Sequence, residues 1–376
     1  MRRLILKSAA RIAKLFFSGF SNKNAYVFIE KTKKEEYPDF IERTEFFFES
    51  NYRLREYSSK TEFYLKLIFS GKVKIIFTPS NVNPVIIENF FINVDYHTNP
   101  FDGWEWHRAL NLCNPVSEEM LDKSEARFKQ FISKLPALDR AFIFGTGPSL
   151  SNANKLVEEP GYKIVCNTIV KDKDLWIKLK PHFIVAGDAI YHFSNNAYAT
   201  AFRADLRKCL LEHPCIFLYP AQFHPFIYKE LPEFRHLLVP VPVGTHTEIA
   251  HSLLEEFSLP ALGNVLNLLL LPLAITLAKN IYLLGFDGRA PGDKLFWSNS
   301  GRHSYPDLIA SIQKNHPQFF AYYIDDKNPN KYVNAVHGDQ LDENLTSLEK
   351  TGYEITLITP SYTKSLQNRY KNIFHL

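Results

Sequence analysis

Residues 141–150 read AFIFGTGPSL. Four apolar residues run into Gly145, Thr146, Gly147, Pro148 and Ser149, the pattern of a buried strand that ends at glycines and gives way to a helix. Bare N–H groups at such a helix start, helped by the helix dipole, attract a phosphate. The dinucleotide fingerprint is incomplete, since Leu150 stands where its third glycine would be. A tight turn with no ligand would use the same residues. Other apolar runs also end in polar residues: Asn167 after YKIVC, Gly187 and Asp188 after HFIVA, Gly285 and Asp287 around LLGFDG. One polar residue after a strand is ordinary turn chemistry. Four such ends in one domain point to a ligand crevice beyond the carboxyl ends of the strands. Three histidines compete as proton carriers: His337 in VHGD, His303 in GRHSY, and His246. A neutral imidazole near pH 7 suits a base, although a lone loop histidine is more often structural. No Asp-x-Asp pair is placed to hold a metal, and Asp325-Asp326 reads as a solvated loop. Trp104, Trp106 and Trp297 suit stacking on a sugar and core packing equally.

The elements that must position these residues follow from the apolar runs. Strands are expected at 141–145, 162–166, 182–186, 215–219, 236–241, 281–285 and 353–358, with helical patterns at 197–213, 262–279 and 341–352. Short apolar strands alternating with helices imply a parallel sheet covered on both faces. Between 288 and 340 the alternation stops, and the Gly-, Asn- and aromatic-rich stretch reads as a lid or binding loop. Ahead of this region, NAYVFIE, EFFFE, FYLKLIF, KVKIIFT and PVIIENFFINV are strand-like or short helical runs of uncertain order. SEEMLDKSEARFKQFISKL (117–135) is a helix with acids at its start and lysines near its end. A domain boundary is expected near 136. The divisions are then 1–20, 21–136 and 137–376.

The chain has 376 residues, 45% hydrophobic and 22% charged, which is globular and long enough for two domains. A net charge of +4 gives no argument for nucleic acid. The four cysteines lack C-x-x-C spacing, so zinc and a disulfide framework are not expected and a reducing cytoplasm fits. The longest apolar run, VLNLLLLPLAITLA, is too short to span a bilayer and contains Asn267 and Pro272. The N-terminal MRRLILKSAARIAKLFFSGF has no clean signal-peptide core. On a helix it would set Ile5, Ala9, Ile12 and Phe16 opposite Arg3, Lys7, Arg11 and Lys14. That suits an anionic membrane surface, and a helix packed on the next domain is the plainer alternative.

The ordered series GTGPSL, CNT, GNVLNLLLLPLAITLAKNIYLLGFD and VHGDQLDENLTSLEKTGYEITLITPS resembles glycosyltransferase family 42, the bacterial sialyltransferases that use CMP-activated sialic acid. The resemblance covers about 137–370. Archaeal hydroxymethylpterin pyrophosphokinase-like proteins share the Gly-Pro-Ser-Leu turn and the strand Asp. The stretch from His337 to Lys350 favours the transferases. The resemblance implies an α/β, Rossmann-like, glycosyltransferase A-like sheet, to which the residue pattern adds the lid and an extra N-terminal α/β domain. It implies that Gly145, Thr146, Gly147, Pro148 and Ser149 cradle the nucleotide and that Asn167 bonds CMP. Gly285 and Asp287 would shape the cytidine pocket, and His337 would be the general base, with His303 as its runner-up. The family's tyrosines after the strand Asp are replaced by Gly288 and Arg289, so Tyr305 or Tyr332 would stand in for them, with Arg289 or Arg302 neutralising the phosphate. Its Asn at the end of the third strand is Gly187-Asp188 here, and its Ser-Gly ahead of the buried helix is Gly263-Asn264.

The expectation is therefore an inverting, metal-independent transferase that moves sialic acid or another nonulosonic or Kdo-like sugar from a CMP donor. No cofactor beyond the donor substrate is implied. The acceptor would be a bacterial surface glycan, lipid-linked, reached from the inner face of the cytoplasmic membrane. A homo-oligomer is compatible with the pattern. The alternatives are an ATP- and magnesium-dependent pyrophosphokinase-like enzyme with Asp188 and Asp287 at the metal, and a non-catalytic nucleotide-binding component of a glycan assembly complex.

Overall fold

The structure, a computed structural model, describes residues 25–36, 38–68, 74–76, 91–290, 301–323 and 340–374. The chain forms two compact units, one of Met1–Pro115 with Asn315–Phe320 and one of Val116–Lys314 with Ala321–Leu376.

The first unit is a parallel four-stranded sheet. Its strands are β1 (Ala25–Glu30), β2 (Tyr52–Tyr57), β3 (Lys74–Ile76) and β4 (Phe91–Asn93), in the order β2-β1-β3-β4. EFFFE lies in the helix Asp39–Phe48, not a strand. Phe40, Arg43, Thr44, Phe47 and Phe48 are buried at helical spacing, so the 3.6-residue period overrides the phenylalanines' strand preference. Trp106 on the helix Asp102–Cys113 stacks on Phe47 with ring centres 5.4 Å apart. Trp104 packs against Phe319. Both tryptophans therefore serve this unit's aromatic packing. Asp102 is fully buried and accepts from His316 Nδ1 at 2.9 Å and from Arg43 at 3.3 Å, while Arg43 also donates to the Asn315 carbonyl at 2.5 Å. A charge buried this deeply survives only when paired, which is why Asn315–Phe320, distant in sequence, belongs here.

The second unit is built on seven parallel strands: β5 (Arg140–Phe144), β6 (Tyr162–Cys166), β7 (Phe183–Val185), β8 (Ile216–Pro220), β9 (Leu238–Val241), β10 (Asn280–Leu284) and β11 (Glu354–Leu357). Their order is β11-β10-β5-β6-β7-β8-β9. All seven strands expected from the sequence are present, within two residues at their ends. The chain starts at β5, runs outward through β9, then returns to place β10 on the other side of β5. The reversal of strand order, the place where open α/β sheets bind ligands, thus lies between β5 and β10.

The helix Glu118–Ile132 belongs to this second unit. Ser124 donates to the Pro240 carbonyl at 2.8 Å and Phe128 is fully buried in the sheet's core, so the unit begins at 116 and not near 136. The apolar run after Asn264 forms a π turn, Leu266–Leu270, that continues as the helix Leu271–Leu277. Pro272 has no N–H to give to the preceding turn, and the turn widens there. Among the described residues, no helix is long and apolar enough to cross a membrane. The basic helix expected at 1–20 lies outside the described residues.

Candidate functional site

The turn GTGPS sits at the carboxyl end of β5, against the end of β10. Gly145 N–H donates to the Leu284 carbonyl at 2.7 Å and Gly147 N–H to the Gly285 carbonyl at 2.9 Å. A Cβ on Gly145 or Gly285 would overlap the other residue's backbone, and Gly285 has φ +82°, a left-handed value that favours glycine. The turn leads into a 3₁₀ helix, Pro148–Leu156. At its start the Asp287 carboxylate accepts from Ser149 N–H at 3.1 Å and from Ser149 Oγ at 2.8 Å. Ser149 Oγ in turn accepts from Gly285 N–H at 3.2 Å and Thr359 Oγ1 at 2.9 Å. Asp287 thus occupies the anion position at this helix start with the protein's own charge. The glycines are accounted for by the close approach of two strand ends. Thr146 and Pro148 remain at the lip, and Arg289 is half-buried two residues past Asp287.

The neighbouring strand ends differ, because their polar groups are unsatisfied. Cys166 on β6 pairs opposite Val185 on β7, so Asn167 and the Ala186-Gly187-Asp188 turn emerge side by side. Asn167 adopts φ +51°, which asparagine tolerates better than most residues. Its buried side-chain oxygen has no hydrogen-bond partner among the described residues. Asp188 caps the short helix Ala189–His192, its Oδ1 accepting from Ile190 N–H at 2.9 Å and Tyr191 N–H at 3.2 Å. Burial raises the Asp188 carboxyl to about 7, against the lowering effect of those two N–H groups. His192, whose Nδ1 accepts from Asp188 N–H, is driven down to about 3 by burial and stays neutral.

The loop carrying Asp188 is held rigidly. Arg203 Nη1 donates to the carbonyls of His192 and Ser194 at 3.0 and 2.8 Å, and Asn196 Nδ2 donates to the Ile190 carbonyl at 2.6 Å. Gly187 packs beneath Leu268 and Leu269 of the π turn. One residue earlier, Asn267 is buried to 1% exposure, and its side-chain oxygen has no partner among the described residues. Its N–H is capped by Asn264 Oδ1 at 3.0 Å. π turns recur at functional sites, and this one packs Leu268 and Leu269 on Gly187 at the end of β7. Sequence reasoning passed over Asn267 and Tyr198. The one available signal was an asparagine inside an otherwise apolar helix. The Tyr198 phenol, raised by burial, bonds Thr168 and lies within range of the Asp188 charge.

The residues expected from the lid divide sharply. His337, Tyr332, Trp297 and Asp325-Asp326 lie outside the described residues. His303 is 1% exposed, bonded through Nε2 to Asp172 at 3.1 Å, and its pKa is lowered by burial against the raising effect of Asp172. Asp172 also pairs with Arg302 and caps the helix Lys173–Leu179 through Leu175 N–H. Tyr305 OH donates to Asp205 at 2.8 Å, and burial raises its pKa. Lys171 donates to the Gly301 and Ser304 carbonyls. His303, Arg302 and Tyr305 are thereby committed to fastening segment 301–305 beside the strand ends. Comparison with known proteins matched no family model, no curated protein and no solved structure.

Proposed function

We propose that this protein is an inverting glycosyltransferase that uses a CMP-activated acidic sugar, on a Rossmann-like, glycosyltransferase A-like scaffold. The observation that carries the reading is the row of unmet acceptors at the ends of β6 and β7. Buried polar groups without partners are rare in folded proteins; among the described residues they include the Asn167 oxygen at the end of β6, which neighbours the β7 end that carries Asp188, and the Asn267 oxygen in the π turn that packs on Gly187. The nucleoside of the donor lies along these strand ends. His337 takes the acceptor's proton as the glycosidic bond forms. Arg289, Tyr332 and the lip residue Thr146 stabilise the leaving phosphate. The acceptor is a lipid-linked bacterial surface glycan, approached through the basic N-terminal segment.

The magnesium-dependent pyrophosphokinase reading is disfavoured by one observation. Both Asp287 oxygens are engaged by Ser149, so Asp287 is not free to join Asp188 at a metal. The deciding experiment is thermal stabilisation by CMP, UDP, GDP and ATP, with EDTA and with magnesium. Stabilisation by CMP in EDTA, with CMP-sugar turnover reduced about 10²–10⁴-fold by His337→Ala, is the expected result. A response to ATP alone that requires magnesium overturns the proposal.

A further inference from the structure

Asp188 is a carboxylate at the strand ends with an acceptor left over among the described residues. Its Oδ1 is taken by the Ile190 and Tyr191 N–H groups, which fixes the carboxylate plane and leaves Oδ2 with no bond among the described residues. The Asn167 and Asn267 side-chain oxygens also lack partners among the described residues. The Arg203 and Asn196 bonds described above hold the loop in place, so the acceptor is preorganised.

Sheet topology places the parts of a nucleotide along this row. In doubly wound dinucleotide-binding sheets the ribose partner stands about 20 residues past the glycine turn that follows the first strand. Asn167, at the end of β6, stands at that position. A nucleoside extended one strand further from β5 would set its base at the end of β7, which carries Asp188. A carboxylate there accepts from an exocyclic amine, as acidic side chains do from cytosine N4, and faces the O4 acceptor of uracil with no donor between them.

We propose that Asp188 selects the nucleobase, its Oδ2 accepting a hydrogen bond from the exocyclic amine of an amino-base, cytosine above all. The inference rests on the glycosyltransferase reading and adds to it the residue that reads the base. It also gives a role to the departure at this position, since asparagine can either donate or accept whereas an ionised aspartate can only accept.

The test is calorimetric titration of the full-length protein at pH 8, where the carboxylate is ionised, with CMP, UMP and N4,N4-dimethyl-CMP. The wild-type protein should prefer CMP over UMP by about 10- to 100-fold, the range of one well-aligned base contact. The dimethyl analogue, which has lost both amine hydrogens, should bind as weakly as UMP. In Asp188→Asn the side-chain oxygen can still accept from Ile190 and Tyr191, and the amide can donate to uracil O4. The CMP-to-UMP ratio should then fall to within about threefold. An unchanged ratio in Asp188→Asn, or undiminished binding of the dimethyl analogue by the wild-type protein, overturns the assignment of Asp188 while the glycosyltransferase reading stands. Equal wild-type affinity for CMP and UMP does the same. Absence of binding by any nucleotide overturns the glycosyltransferase reading itself, and this inference with it.

Discussion

Replacing Asp287 with alanine should loosen the turn at the end of β5 in the ligand-free protein. In the wild type the carboxylate accepts from Ser149 N–H and Ser149 Oγ, and Ser149 Oγ is tied to Gly285 N–H and Thr359. Hydrogen bonds to a charged group contribute about 1.5–3 kcal/mol each. Asp287 is half-buried and water replaces part of what is lost, so the local cost is about 2–4 kcal/mol. The readout is amide hydrogen exchange at Gly145 and Gly147, whose N–H groups cross to β10. Local opening should become about 30- to 800-fold more frequent, at 1.4 kcal/mol per tenfold. Ser149→Ala should give a smaller effect of about 1–2 kcal/mol. The double variant should fall short of the sum by about 1 kcal/mol or more, since each substitution removes the other's partner. Exchange in Asp287→Ala within about threefold of wild type, or strict additivity in the double variant, would refute the clamp. Asp287 would then be free to serve a ligand.

Four further outcomes are expected. The raised Asp188 pKa means that the native state keeps a proton the unfolded chain has released; this stabilisation is present below about pH 4 and lost as pH rises through about 7. Asp188→Asn should therefore melt above wild type at pH 8 and close to it near pH 4, as differential scanning calorimetry would show. The depressed His192 and His182, at about 3 and about 4 through burial, act in the opposite sense. Their contribution is present above the unfolded value near 6.5 and lost as pH falls through the folded values, so His182→Gln should flatten the acid limb of the melting curve. In the first unit, Asp102→Ala should cost about 3–5 kcal/mol, because it strands the buried Arg43 and leaves His316 without its carboxylate. Urea unfolding followed at Trp106 would measure this. Asp172→Asn should speed proteolysis within 301–305 while leaving the β5–β10 turn protected, since Asp172 fastens that segment through His303 and Arg302.

The amino-acid sequence by itself determined the larger sheet. Strands such as YKIVC and CIFLY are short apolar runs between turn residues, and their spacing by helical patterns leaves a parallel arrangement as the solution that buries them on both faces. It also marked Asn167, Asp188, Gly285 and Asp287, because polar residues at strand ends are local features of the chain. What those residues do was decided by tertiary structure. Whether Asp287 faces a ligand or Ser149 depends on β10 returning to lie beside β5, a pairing across some 140 positions that no local pattern encodes. His303 and Tyr305 were read as available for chemistry because their partners, Asp172 and Asp205, lie at least 100 positions away. EFFFE became helical because the burial of Phe40, Phe47 and Phe48 outweighs strand propensity, and that burial exists only once the small sheet is assembled. Asn267 gained its position from the π turn that Pro272 imposes and from Gly187 admitting Leu268 and Leu269 closely. Local chemistry is written in the order of residues, whereas the satisfaction of a buried polar group depends on which distant segment the fold brings to it.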